Sequence, residues 1–108
     1  MPVEVGLDRL LHEAIRTKHL LRFRYNNQER IVEPHDYGIQ NRIARLFCYQ
    51  VAGQSSSPLP GWRVVDVHKI QECEMLERRF AGNRETPSGR HHRWDEIFIR
   101  VEPPQTTQ

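Results

Sequence analysis

The chain has 108 residues, 37% of them hydrophobic and 28% charged, with a formal net charge of +2. That length suffices for one hydrophobic core and excludes a second domain of comparable size, and the composition excludes an intrinsically disordered chain. No apolar run approaches the ~20 residues of a membrane span, and MPVEVGLDRLLHE lacks the basic-then-apolar order of a signal peptide, so a cytoplasmic protein without membrane attachment is expected.

The first element predicted is a helix. Leu7, Leu10, Leu11, Ala14 and Ile15 recur at helical spacing on one stripe, with Asp8, Arg9, Glu13 and Arg16 on the other side. Acids stand near its start and Arg16, Lys18 and His19 at its end, as the helix dipole prefers. In LLRFRY, Leu21, Phe23 and Tyr25 alternate with Arg22 and Arg24, which predicts a strand with one apolar and one basic face. Asn26-Asn27 tolerates positive φ and predicts a tight turn into a second strand, ERIVEP, closed by Pro34. A third short strand is expected from Asp36 to Ile39, then a turn at Gln40-Asn41-Arg42 and the long apolar strand ARLFCYQVA.

GQSSSPLPG, from Gly53 to Gly61, reads as a loop. Trp62–Val67 and Lys69–Leu76 read as two further strands separated by a bend. Past Phe80, AGNRETPSGRHHR loses periodicity and reads as a linker to a short element, WDEIFIRV, and a disordered PPQTTQ end. The expected organisation is a domain over 1–82 and a C-terminal linker, extension and tail over 83–108. Five or six short strands behind one helix predict a mainly β (α+β) fold, a small antiparallel barrel or a strongly curved sheet. WDEIFIRV alternates in polarity and is expected to pair with a sheet edge, its own or that of a second copy in a homodimer.

Charge is unevenly spread: from Arg16 to Arg45 seven basic residues stand against three acidic ones. Folded onto one surface, that excess attracts anions; the alternative is a solvated face of mixed charge. Arg63 and Lys69 share one strand parity with Val65 and Val67, where a guanidinium needs an acid, a carbonyl or a bound phosphate. Asp66 and Glu33 are the internal acids that would serve it. Tyr25 and Tyr49 lie near basic residues and suit stacking on a base, or else belong to the core with Phe23, Phe47 and Trp62. Cys48 and Cys73 fall in strands and read as reduced thiols. No HExxH or CxxC occurs, so no metal and no cofactor is expected, and neither His35-Asp36 nor Ser55-Ser56-Ser57 sits in a recognisable catalytic elbow.

Across roughly residues 10–80 the order Ala14-Ile15, Tyr25, Arg30, Pro34, an apolar strand, then Arg63, Val65, Val67, Lys69, Ile70 and Phe80 resembles the WYL domain of bacterial regulators. Where that family carries its name-giving Trp-Tyr-Leu, this chain has Leu46-Phe47-Cys48, and Lys69 stands where Arg is usual, which keeps charge but loses the bidentate fork. The resemblance implies an Sm-like, SH3-type β-barrel with an N-terminal helix. It also implies a non-enzymatic, ligand-sensing role in transcription regulation, with nucleic acid or a nucleotide as ligand. Arg30 and Arg63 become an anion-binding pair, joined by Lys69, Tyr25, Tyr49 and Arg45. Only about ten residues precede the matching region, so no winged helix is expected ahead of it. The rival expectation is a small protein-interaction subunit, self-pairing or partner-bound, that takes no nucleotide, and a hydrolase is a distant third.

Overall fold

The computed structural model describes residues 3–85 and 93–104. Helix α1, Val5–Thr17, buries Leu11, Ala14 and Ile15 along the predicted stripe and ends at Lys18, whose left-handed backbone (φ 60°) returns its N–H to Ala14 O. Strand β1, His19–Tyr25, starts at the next residue, so helix and strand meet at a sharp corner. Asn26 and Asn27 (φ 52° and 59°) make the two-residue turn into β2, Gln28–Gln40. Asn41 and Arg42 (φ 52° and 65°) make a second such turn into β3, Ile43–Gly53.

β4 spans Gly61–Asp66, a 3-10 turn covers Val67–Lys69, and β5 spans Gln71–Arg79. β6, Glu96–Arg100, pairs antiparallel with the second half of β2, Asp36 opposite Arg100 and Ile39 opposite Glu96. WDEIFIRV therefore finds an edge within its own chain. At Gly38 the approach is so close that a Cβ would run into Glu96 O.

Pro34 does not close a strand: the two segments expected on either side of it are one strand, β2. Proline lacks a ladder donor, and here it falls where β2 needs fewer of them. Through Val32 the strand pairs with β1 and from Asp36 it pairs with β6, with a register shift between Pro34 and Asp36 on the β3 side. The bulge residue there is His35.

The strand order is β4-β3-β2-β1-β5, with β6 beside β2. All pairings are antiparallel, and β4 and β5 are not hydrogen-bonded neighbours, so the sheet is unclosed. It is nevertheless strongly curled. The Tyr25 hydroxyl at the end of β1 accepts the N–H of Asp66 at the end of β4 (3.0 Å), although two strands separate β1 from β4 in the sheet. The concave face carries Leu21, Phe23, Val32, Tyr37, Leu46, Cys48 and Val65, and α1 lays Leu11, Ala14 and Ile15 into the same core. Among the described residues no helix is long and apolar enough to cross a membrane.

Candidate anion site

Register decides which side chains meet. Arg30 lies opposite Phe23, Cys48 opposite Arg63, and Gln50 opposite both Val32 and Gly61. Partners across a ladder share a face, so Arg30 on β2, Gln50 on β3 and Arg63 on β4 all belong to the concave side, with Gln50 on the middle strand. Both guanidinium groups act on the thiol of Cys48. Burial pushes that thiol up to about 12, while Arg30 and Arg63 pull it back down.

Neither arginine has a carboxylate partner among the described residues. The two acids that were candidates are engaged elsewhere: Asp66 with Arg45 (3.0 Å) and Lys69 (3.7 Å), Glu33 with Arg84 (2.6 Å). Arg63 instead donates to neutral oxygens of its own loop and strand, Ser55 Oγ at 2.9 Å, Pro58 O at 3.2 Å and Trp62 O at 2.9 Å. Arg30 lies over the Tyr25 ring (5.0 Å to the centroid) and donates one NH2 to Gln28 Oε1 at 3.1 Å. Its Nε is buried without a hydrogen-bond partner among the described residues. Gln50 is fully buried and its Nε2 donates to Ala52 O (3.1 Å) and Gln54 O (3.0 Å). Its Oε1 is the second buried polar atom without a partner. Each such group costs about 1–3 kcal/mol when left unsatisfied.

The six residues singled out from sequence divide between the two faces. Tyr25, Arg30 and Arg63 share the concave side, where Arg30 lies over the Tyr25 ring. Tyr25 has both its ring and its hydroxyl engaged, the one by Arg30 and the other by Asp66 N–H. Tyr49 lies on the outer face opposite Glu33 and Trp62, its ring edge-on to Trp62 (5.2 Å) and covered by the Arg84 guanidinium (4.4 Å). Arg45, also outward, is held by Asp66 and by Gln40 Oε1 at 2.8 Å, and Lys69 ends the 3-10 turn with its side chain mostly exposed. Gln50 was not singled out from sequence. The one signal for it was a lone amide inside the apolar ARLFCYQVA segment.

The outer face carries a second cluster. Phe47 stacks on Trp62 (4.6 Å), and His35 packs edge-on to Trp62 and stacked on Phe80. His35 is fully buried, with Nδ1 2.9 Å from Glu33 O and Nε2 accepting the Arg84 N–H at 3.2 Å, a pattern that only the neutral ring satisfies. Hydrogen bonding to Glu33 raises the Arg84 pKa further above its ordinary value. Among the described residues no group of three or more His, Cys, Asp or Glu is disposed to hold a metal ion. The concave arrangement thus holds two half-buried cations with no carboxylate partner among the described residues and, on the strand between theirs, a fixed amide whose free atom is an acceptor. No family model, curated protein or solved structure matches the chain.

Proposed function

We propose that this chain is a WYL-like regulatory module, non-enzymatic, that binds a phosphate-bearing ligand (nucleic acid or a nucleotide) through Arg30 and Arg63 on the concave side of its curled sheet. The observation that carries the reading is that both half-buried guanidinium groups on this face have no carboxylate partner among the described residues. A cation removed from water without a counter-ion is unfavourable until an anion arrives, which is the energetic signature of a binding site. The order β4-β3-β2-β1-β5, with a 3-10 turn between β4 and β5, supports the SH3-type, Sm-like barrel that goes with this reading. Ligand contact by Arg45 and Lys69 would compete with Asp66, and by Tyr49 with Arg84, so these three belong to the periphery of the reading.

The test is the salt dependence of oligonucleotide binding, followed by fluorescence anisotropy. Binding is expected at low salt, weakening as salt rises. Changing Arg30 and Arg63 together to Ala is expected to reduce the log–log slope by about 0.7 for each lost single-strand phosphate contact. No binding of any RNA or DNA at low salt overturns the reading.

A protein-interaction role, as a homodimer or with a separate partner, is favoured by β6. Among the described residues its only ladder neighbour is β2, and Ile97 and Phe98 are each 38% exposed on it. A mass by light scattering equal to one chain at all concentrations sinks the homodimer.

A further inference from the structure

Guanidinium groups attract any oxyanion, so Arg30 and Arg63 alone do not choose among anions. Gln50 supplies what they lack. It stands on the middle strand of the three, fully buried, and its amide is oriented by two carbonyls that take both Nε2 hydrogens, Ala52 O and Gln54 O. Turning the amide over would face oxygen to oxygen twice, so Oε1 is fixed as an acceptor. On the neighbouring strand, two residues before the Val32 that faces Gln50, Arg30 Nε is fixed as a donor, and both atoms are without a partner among the described residues. A ligand that completes the site must therefore accept from the arginines and donate to Gln50.

Resting on the anion-binding reading above, we infer that Gln50 makes the concave site selective for a protonated phosphate, inorganic phosphate or a terminal phosphate monoester, over oxyanions that carry no proton. Sulfate has the size and shape of phosphate but near neutral pH offers only acceptors. The internal diester of a nucleic acid does the same. Against a buried carbonyl oxygen either anion places lone pairs on lone pairs. A phosphate monoester, whose second ionisation lies near pH 6, keeps one O–H in half its population there and satisfies Oε1. A buried acceptor left unmatched is what gives polar sites their power to reject close analogues. The same geometry assigns a nucleic-acid ligand its orientation, since only a phosphorylated strand end offers the required hydrogen.

The experiment is calorimetric titration of the full chain at about pH 6 with sodium phosphate and with sodium sulfate at matched ionic strength. Short single strands with a 5′-phosphate and with a 5′-hydroxyl come next. Phosphate is expected to bind at least about tenfold more tightly than sulfate, and the 5′-phosphorylated strand more tightly than its hydroxyl counterpart. Preference for inorganic phosphate without preference for the phosphorylated end would assign the site to the free ion. Gln50→Met keeps the side-chain length and removes the acceptor, and is expected to bring phosphate down to the level of sulfate. Should that variant not fold, the wild-type comparison decides alone. Equal binding of phosphate and sulfate by wild type, or a preference that persists in Gln50→Met, overturns the inference. Oligonucleotide binding that needs Arg30 and Arg63 but ignores the terminal phosphate overturns the selectivity and leaves the anion reading standing. No binding of any anion removes both.

Discussion

The two faces of the sheet treat positive charge in opposite ways. On the outer face Arg84 is matched by Glu33, Arg100 by Asp36, Arg45 by Asp66, and Arg22 by Glu74 and Glu29. On the concave face Arg30 and Arg63 rest on an aromatic ring, an amide, a hydroxyl and carbonyls, none of which carries charge. Apart from Arg22–Glu29 within one hairpin, the outer pairs join segments far apart in sequence and fasten them. The inner pair fastens little beyond one loop, and its charge stays available. A cation with a carboxylate is structure; a cation without one is a demand for something else.

The contrast breaks most visibly on the outer side. Asp36 is fully buried, and Arg100 → Asp36 Oδ1 (3.1 Å) and Trp94 Nε1 → Asp36 Oδ2 (3.2 Å) are among the bonds that hold it. Arg100→Met takes a guanidinium partner from that buried carboxylate and is expected to cost about 3 kcal/mol. Thermal unfolding should then fall by about 10 °C or more. A midpoint unchanged within error would mean that the outer pairs are ornamental and that the two faces do not differ.

A smaller effect is expected at the seam between the faces. Tyr25→Phe removes the acceptor for Asp66 N–H and should cost about 1 kcal/mol by denaturant titration, with the Arg30 contact to the ring preserved. Loss of anion affinity in this variant without loss of stability would put the hydroxyl in the ligand's path.

Arg63→Met is expected to change stability by less than about 1 kcal/mol, because the partners it abandons are neutral. Anion affinity should nonetheless fall at least tenfold. A sharp drop in the denaturant midpoint with unaltered anion binding would make Arg63 a structural residue like Arg100. The mildest change is Ser55→Ala, which removes one of the two acceptors of a single Arg63 NH2 and leaves Pro58 O. Stability should stay within about 0.5 kcal/mol and anion affinity drop only two- to threefold.

Local chemistry was legible in the sequence and long-range pairing was not. The helical stripe of Leu11, Ala14 and Ile15, the Asn26-Asn27 turn and the alternation of β1 each follow from spacings of a few residues, and each is found where expected. Pro34 misled because its meaning depends on which neighbour a strand has at that point, and β2 changes neighbours there. The six candidate residues split between faces for a related reason. Placing Tyr49 opposite Glu33 and Arg30 opposite Gly53 needs the β2–β3 register through two shifts, and each shift reverses parity. Whether Arg63 meets Asp66 or Glu33 turned on Arg84 and Arg45 reaching those acids first, across 51 and 21 residues.

The sheet order also has a consequence for the sequence of events in folding. β1 to β4 form a meander in which each strand pairs with the one just before it, so that much can assemble through short loop closures. β5 must travel back to β1, and Arg100 must reach Asp36 across 64 residues. Until β6 arrives, the second half of β2 presents an open edge beside a buried carboxylate that still lacks Arg100. During synthesis this chain therefore passes through a nearly complete sheet with its most adhesive strand uncovered, and the last few residues to fold are the ones that make it safe.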